Sequence, residues 1–252
     1  MLVDTHCHIH EPDFGFDAVA TLERARAAGV QKMVCVGTSE VSSREALEFA
    51  EAHSDVYASI GVHPHDTKDG YVQVVQMAQT ATSAQKLVAI GEIGLDYFYT
   101  HSPREVQLHA FEAQLQVALD HNLPVIFHVR EAFEDFWTVF DNFSGLRGVL
   151  HSFTDNQANL EQGLSRGLYV GVNGISVFTK DESQQVVFDT IPLERLLFET
   201  DAPFLTPPPH RGTVNEPAYV ELIARYHAER RGLSFDEIAA ATTTNATALF
   251  AL

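Results

Sequence analysis

The 252-residue sequence has little positive charge. Only 16 Lys and Arg stand against 34 Asp and Glu, and the formal net charge is -18 at neutral pH. Proteins that hold nucleic acid through broad phosphate contacts carry a basic face, so this composition argues against an extended interface of that kind. A nucleic-acid substrate would have to be held locally, by a metal ion and a few arginines.

Cysteines and long apolar runs are also scarce. The two cysteines, Cys7 and Cys35, fall in strand-like segments and are predicted to be buried thiols without a disulfide. Apolar runs such as LPVIFHV are too short to span a bilayer, and the opening MLVDTHCHIH lacks the basic and apolar regions of a signal peptide. We therefore expect a cytoplasmic protein with no membrane partner.

Short segments rich in Val, Ile, Leu and Phe recur along the chain and alternate with helical patterns. Their weak polar alternation is typical of strands buried on both faces of a parallel sheet. The predicted strands span residues 2–6, 32–37, 56–62, 87–93, 124–129, 148–153, 168–173 and 196–201. This pattern predicts an α/β fold, a single-domain TIM (β/α)8 barrel over residues 1–252. A doubly wound open sheet is the alternative, but no glycine-rich phosphate turn follows the first strand.

Two helix starts carry a Ser-x-x-Glu pattern. Ser102 and Glu105 flank Pro103 at the first helical position, which predicts a capping box and a helix over 102–122. Ser234 and Glu237 predict a second capping box at the start of the C-terminal helix.

Polar residues gather where the predicted strands end. In a TIM barrel the active site lies at the C-terminal ends of the strands. Imidazoles and carboxylates, which bind divalent metals, dominate these ends and predict a metal site. The strand-end residues are His6, His8, His63, His65, Glu92, His128, Arg130, His151 and Asp201.

The alternation of side chains along a strand sharpens this prediction. Asp4, His6 and His8 share one face of the first strand, and Cys7 points to the other. Glu199 shares a face with Asp201 in the last strand. Asp4 and Glu199 would then be buried carboxylates that need hydrogen-bond partners, as residues that orient the ligands do.

The other histidines are predicted to lie outside the site. His10 precedes Glu11-Pro12 and is interpreted as a loop residue, and His101, just before the predicted cap of a helix, is also predicted to have no role in the site. A further set falls in helical patterns and is predicted to lie on the surface: His53, His109, His121 and His227.

These motifs together resemble those of the TatD-like metal-dependent deoxyribonucleases, a group within the amidohydrolase-like barrels. The resemblance covers residues 3–250. It rests on VDTHCHIH, SIGVHPH, AIGEIGLDY, LPVIFHVREA, GVLHSF, LLFETDAPFLTP with HRG and NEP, and TTTNATALF.

The resemblance implies a site for two divalent metal ions. His6, His8, Glu92 and Asp201 would hold one ion, and His128 and His151 the second, with Glu92 bridging both. Zn²⁺, Mg²⁺ and Mn²⁺ all remain candidates. The fourth strand ends in a glutamate, so the carbamylated lysine of some amidohydrolases is not available there.

The expected chemistry is metal-assisted phosphodiester hydrolysis, as a 3′–5′ exonuclease on single-stranded DNA. Asp201 is the predicted general base, and Glu92 is expected to keep the metals at their working spacing. The predicted substrate contacts are His63, His65, Tyr97, Arg130 and Arg211, with Asn215 as a further candidate in the final loop. We expect a monomer with no obligate protein partner.

Other hydrolytic functions fit the same ligands. A small-molecule amidohydrolase or lactonase fits the acidic charge better, and a D-aminoacyl-tRNA deacylase is a further option. A non-catalytic metal-binding protein is the weakest hypothesis, because a bridged site with open positions is costly to keep without chemistry.

Overall fold

The computed structural model describes residues 1–81 and 86–252, and it contains every predicted strand. One parallel sheet holds eight strands in chain order, and helices separate the strands along the sequence, which confirms the predicted TIM-barrel class. Strand ends differ from the predictions by up to three residues: the fourth strand runs on to Asp96, and the sixth and eighth strands end three residues earlier than predicted. The strands are β1 (Leu2–Cys7), β2 (Val30–Val36), β3 (Val56–Ile60), β4 (Leu87–Asp96), β5 (Val125–Arg130), β6 (Gly148–Leu150), β7 (Tyr169–Val172) and β8 (Leu196–Phe198).

The α-helices begin at residues with short polar side chains in several cases. Asp17, Ser39, Asn156 and Asp181 each accept a hydrogen bond from a backbone N–H in the first turn of the helix that follows. The helices in the described ranges are α1 (Ala18–Ala27), α2 (Glu40–Ala52), α3 (Val72–Thr80), α4 (Arg104–Asp120), α5 (Phe133–Phe140), α6 (Gln157–Ser165), α7 (Ile175–Phe178), α8 (Glu182–Thr190), α9 (Val220–Arg231) and α10 (Phe235–Phe250).

The two predicted capping boxes have different outcomes. The box at Ser234 is confirmed, since its Oγ accepts the N–H of Glu237 and the Glu237 carboxylate accepts the N–H of Ser234. The prediction of a capping box at Ser102 is wrong, because the residue that precedes α4 is Pro103 and, in the part of the chain that the structure describes, no side chain caps this helix. The Ser102 hydroxyl instead donates to the carbonyl of His65 at 2.6 Å and accepts the N–H of Lys68 at 3.2 Å. This serine therefore fixes the loop after β3 rather than the start of α4.

The chain divides into two compact units, residues 1–35 with 152–252 and residues 36–151. In the first unit β1 pairs with β2, with Cys7 opposite Cys35, and β7 pairs with β8. The backbone of Cys7 also forms an isolated parallel β-bridge with Ala202, just beyond β8. The TTTN segment in α10 supports this arrangement, because Asn245 donates to two backbone carbonyls, those of Leu193 and Leu196.

In the second unit β4 pairs with β5, and β5 with β6. Gly94 stands opposite His128 with φ +149°, and a Cβ there would lie 1.9 Å from the His128 carbonyl oxygen. Only glycine permits this approach. The aromatic core of the unit includes Phe111, Phe127 and Phe136, all fully buried.

Three predictions about single residues are settled by the fold. Cys7 and Cys35 are buried free thiols, and His10 lies in a turn, both as expected. The surface prediction for His227 is wrong, because this residue of α9 has no exposed area. Its Nε2 lies 2.8 Å from the Ser176 hydroxyl, which gives one of the two buried ring nitrogens a hydrogen-bond partner.

Within the described ranges, no helix has the length and apolarity required to cross a membrane. The prediction of a single domain over residues 1–252 stays a prediction.

Candidate metal centre

The first unit brings three of the predicted ligands together. Nε2 of His6 lies 3.2 Å from Nε2 of His8, and Oδ1 of Asp201 lies 3.6 and 3.4 Å from these two atoms. Ligand bonds of about 2.0–2.1 Å in a tetrahedral site put neighbouring donor atoms about 3.3 Å apart. The spacing and the chemistry of this donor set, hereafter the first cluster, therefore fit a divalent cation.

Backbone hydrogen bonds hold the first cluster in place. The N–H of Asp201 donates to the carbonyl of His6 at 2.9 Å, and the N–H of His8 donates to the carbonyl of Ala202 at 2.8 Å. Asp201 has φ +58°, a left-handed conformation that is costly outside glycine and is concentrated at functional sites. On the opposite face of β1, Cys7 Sγ donates to the carbonyl of Val34 at 3.5 Å, as the alternation predicts.

Both buried carboxylates of this unit have partners. Asp4 accepts hydrogen bonds from the N–H and the hydroxyl of Thr200 at 2.9 and 2.6 Å. Burial raises the pKa of Asp4 to about 7, although the bonds from Thr200 oppose the change. Glu199 accepts the N–H of Ser152 at 2.7 Å. Asp4 thus fixes Thr200, the residue before the predicted ligand Asp201.

The second unit forms its own cluster around Glu92, hereafter the second cluster. Oε1 of this nearly buried carboxylate lies 2.7 Å from Nδ1 of His128 and 3.7 Å from Nε2 of both His63 and His151. Potential ligand atoms of His63, Glu92 and His128 all lie within 4.8 Å of one another. The backbone places Glu92 here, since its N–H donates to the carbonyl of Gly37 at 2.9 Å.

Asp96 belongs to this cluster and was missed by the sequence predictions. Its Oδ2 lies 2.9 Å from Nε2 of His128 and 3.0 Å from Nε2 of His65, and the residue is 1% exposed. The signal was present in GLDY, because Asp96 follows Glu92 by four residues and therefore shares its strand face. It was missed because the predicted strand ended at residue 93.

Opposing effects set the charge of these groups. Burial lowers the pKa of His128, but its bonds to Asp96 and Glu92 outweigh burial and raise the pKa overall. Burial likewise raises the pKa of Asp96, and the bonds from His128 and from the Tyr99 N–H outweigh it, so that the pKa lies well below its usual value. Asp96 is therefore ionised at neutral pH.

His63 is held as a neutral hydrogen-bond donor. Burial lowers its pKa well below the usual value, and the nearby His128 adds to this effect. The backbone N–H of His65 donates to Nδ1 of His63 at 3.1 Å, so the neutral ring carries its proton on Nε2. A proton there suits a contact to a substrate oxygen better than ligation through the same atom.

Two predicted substrate contacts lie at the edge of the second cluster. The guanidinium of Arg130 lies 3.8 Å from the ring centre of Phe98. The hydroxyl of Tyr97 donates to Asp135 at 2.5 Å and accepts from Nε of Arg104 at 3.3 Å. Burial, together with Asp135, raises the pKa of Tyr97 to about 12.

The other two candidates lie in the first unit, in the loop after β8. Arg211 donates to the carbonyl of Thr206 at 2.8 Å and packs 3.7 Å from the ring centre of Phe178. Asn215 is fully buried and donates to the carbonyls of Thr200 and Phe204. Asn215 thus stabilises the loop, while the side chain of Arg211 stays exposed.

The structure therefore brings His6, His8 and Asp201 together within one unit. Within the other unit it brings His63, His128 and His151 to Glu92 and His65 to Asp96, while Arg130 packs against Phe98 at the edge of the cluster. The bridging role expected of Glu92 involves ligands of both units and stays a prediction, as do the individual roles of these residues.

Known proteins resemble this chain over its whole length. The family model of TatD-related DNases matches residues 3–251. An uncharacterised metal-dependent hydrolase of Bacillus subtilis, YabD, is 37% identical over 99% of both chains. The 3′-5′ ssDNA/RNA exonuclease TatD of Erwinia amylovora is also 37% identical, over 100% of both.

A solved structure agrees with these sequences. The crystal structure of YjjV, a TatD homologue of Escherichia coli K12, superposes with a TM-score of 0.92 at 31% identity and covers 100% of this chain and 98% of its own. The fold, the clustered histidines and carboxylates, and these full-length matches lead to one conclusion: the chain belongs to the TatD-related DNase family and is a metal-dependent hydrolase on a TIM barrel.

Proposed function

We propose that the protein is a metal-dependent phosphodiesterase that removes nucleotides from single-stranded DNA in the 3′–5′ direction. The observation that carries the proposal is the first cluster, whose three donor atoms have the spacing of a cation site. The name of the Erwinia relative, a 3′-5′ ssDNA/RNA exonuclease, supports the substrate class and the polarity.

We propose two divalent ions, drawn from Zn²⁺, Mg²⁺ and Mn²⁺. His6, His8 and Asp201 would hold one, and Glu92, His128 and His151 the other. Bound in these positions, the cations would lower the pKa of a water molecule and offset the negative charge of the phosphate oxygens.

The residues of the chain supply proton transfer and substrate orientation. Asp201 retains an accessible carboxylate, 16% exposed, and would act as the general base that accepts the proton of the attacking water. Nε2–H of His63 would donate to a phosphate oxygen, and the planar guanidinium of Arg130 would bind two such oxygens. These local donors would replace the basic face that the composition lacks.

One assay tests the proposal directly. The protein is incubated with 5′-labelled single-stranded DNA and Mg²⁺, Mn²⁺ or Zn²⁺, with a chelator control. We expect progressive shortening from the 3′ end that stops when the metal is chelated. His8→Ala should abolish it, whereas His109→Ala, which removes an exposed histidine of α4, should not. Tight metal binding without cleavage of any phosphodiester would show the proposal to be wrong.

The acidic composition supports a second candidate. A net charge of -18 suits a small substrate better than a polyanion, and the same ligands could serve attack on a carbonyl by an amidohydrolase, a lactonase or an aminoacyl-tRNA deacylase. Turnover of amide, lactone or aminoacyl ester substrates without DNA cleavage would favour this candidate.

A further inference from the structure

Two exposed aromatic rings follow β4. Phe98 is 47% exposed and Tyr99 is 42% exposed, and contiguous exposed apolar groups of this kind mark binding sites. Their centroids are 4.7 Å apart with an interplanar angle of 85°, so that they form a right-angled corner. We refer to Phe98 and Tyr99 together as the aromatic corner.

The aromatic corner is fixed beside the second cluster. Oδ1 of Asp96 accepts the backbone N–H groups of both Phe98 and Tyr99 at 3.0 Å. The other oxygen of the same carboxylate contacts His65 and His128. The Tyr99 ring also stands edge-on to the His65 ring, with the centroids 5.3 Å apart. One buried carboxylate therefore sets the position of the corner and that of the cluster.

A cation accompanies the exposed rings. The guanidinium of Arg130 lies 3.8 Å from the Phe98 centroid and 5.1 Å from the Tyr99 centroid. The protein has only 16 basic residues against 34 acidic ones, and one of these few cations lies beside the two exposed rings. Aromatic rings on which bases stack, next to cations that contact the backbone, are the features by which proteins bind single-stranded nucleic acid.

We infer that the aromatic corner is a stacking subsite for an unpaired base of a single-stranded nucleic acid, next to a phosphate contacted by Arg130. The inference rests on the proposed phosphodiesterase function and adds the residues that select the substrate. Because both faces of a base inside a duplex are covered by its neighbours, the subsite accepts a base only from a single strand or a frayed end. The corner would therefore contribute to the preference for single strands.

The test measures binding rather than turnover. A short single-stranded DNA carrying 2-aminopurine near its 3′ end is titrated with the protein in the presence of a chelator, so that no cleavage occurs. Stacking on an aromatic ring quenches the fluorescence of 2-aminopurine. We expect quenching with the wild-type protein, and a rise in Kd of about 5- to 100-fold in Phe98→Ala or Tyr99→Ala.

Two further variants make the result specific. Phe98→Tyr keeps an aromatic ring and should restore both the quenching and the affinity. Tyr57→Ala serves as the matched control, because Tyr57 also has a cation near its ring (Lys86 Nζ at 5.4 Å) but lies at the N-terminal end of β3. It should bind the oligonucleotide as the wild type does.

An abasic oligonucleotide completes the test. Removal of the base that stacks should weaken binding to the wild type and leave the Phe98→Ala variant unaffected. Equal losses in both proteins, or unchanged affinity in the alanine variants, would overturn the inference.

Hydrolysis of bis(p-nitrophenyl) phosphate by the wild type reports separately on the proposed function. If the wild type cleaves this small diester while the alanine variants bind DNA normally, the stacking inference alone is wrong. If the wild type cleaves no diester at all, the proposed function fails first.

Discussion

Asp96 holds His128 by a hydrogen bond of 2.9 Å between Oδ2 and Nε2, while Nδ1 of the same imidazole lies 2.7 Å from Glu92. The His128 ring thus lies between two carboxylates of β4, and each ring nitrogen contacts one of them. Because a histidine ligand needs one nitrogen for the metal and a partner for the other, this arrangement assigns Glu92 and Asp96 different tasks. Glu92 belongs to the candidate metal ligands, and Asp96 sets the orientation of the His128 ring.

Asp96→Asn should therefore impair the site without unfolding the protein. The amide keeps an oxygen for the N–H groups of Phe98 and Tyr99 but removes the charge that faces His65 and His128. We expect a 10- to 100-fold loss of metal affinity or turnover, the range found for partners of metal-bound histidines. Isothermal titration with Zn²⁺ or Mn²⁺ measures the first, and phosphodiester hydrolysis the second.

The matched control is Asp120→Asn, which changes an exposed carboxylate at the end of α4. This variant should behave as the wild type in both assays. An Asp96→Asn protein with full metal affinity and full turnover would contradict the positioning role.

Removal of a ligand should reduce both the metal content and the response of stability to metal. His8→Ala takes one of three donors from the first cluster, whereas His109→Ala removes an exposed imidazole. Since a ligand that binds only the folded state stabilises it, added metal should raise the Tm of the wild type and of His109→Ala. The rise should be smaller in His8→Ala, and elemental analysis should find less bound metal. Equal metal content in the two variants would remove His8 from the ligand set.

The sequence could nominate candidate ligands as far as strand ends could be located. His6, His8, Glu92, His128, His151 and Asp201 were predicted as ligands because the active site of a TIM barrel lies at the carboxyl ends of its strands. The structure brings His6, His8 and Asp201 together in one unit and Glu92, His128 and His151 in the other, and their roles as ligands stay predictions. Asp96 was missed for the converse reason, since a strand end misplaced by three residues left a carboxylate in a presumed loop.

Residues whose environment depends on tertiary contacts were harder to predict. Ser102 has the local pattern of a capping box, yet a loop distant in sequence offers its hydroxyl a carbonyl and an N–H. His227 has the helical pattern of a surface residue, yet Ser176 and the Phe198 ring, whose centroid lies 5.5 Å away, enclose it. Such partners lie up to 51 residues away and leave no local signal.

Gly94→Ala should destabilise the second unit strongly. The new Cβ would lie 1.9 Å from the His128 carbonyl oxygen, and the backbone has φ +149°. The backbone strain costs about 1–3 kcal/mol and the overpacking a similar amount, so we expect a loss of roughly 2–6 kcal/mol in unfolding free energy. Urea denaturation followed by circular dichroism measures it.

Gly145→Ala separates the two contributions to that loss. Gly145 also has a positive φ, +90°, but among residues 1–81 and 86–252 no atom of a neighbouring group would lie within 4 Å of a Cβ added there. Its variant should show the cost of the backbone conformation alone. If Gly94→Ala were no less stable than Gly145→Ala, the close approach of β4 to β5 would not limit this position.

His227 should make stability fall in mild acid. Burial, with Arg231 and Arg230 nearby and Asp189 opposing them, lowers its pKa from 6.5 to about 3. The Ser176 hydroxyl donates its proton to the Asn173 carbonyl at 2.7 Å, so neutral His227 donates from Nε2 to that hydroxyl. Between pH 6.5 and pH 3, His227 is protonated in the unfolded chain but stays neutral in the folded protein. The free energy of unfolding therefore falls as the pH falls through this window, by up to about 1.4 kcal/mol per pH unit from this residue.

His227→Gln isolates this effect, because the amide can still donate to Ser176 but does not titrate. The variant loses packing and should be less stable than the wild type at pH 7. Its unfolding free energy should nevertheless decline less steeply between pH 7 and pH 5, with a difference between the two proteins of about 2 kcal/mol over that interval. Chemical denaturation at several pH values measures both slopes. Parallel slopes would mean that His227 titrates in the folded protein as it does in the unfolded chain, and that its burial does not exclude the charged form.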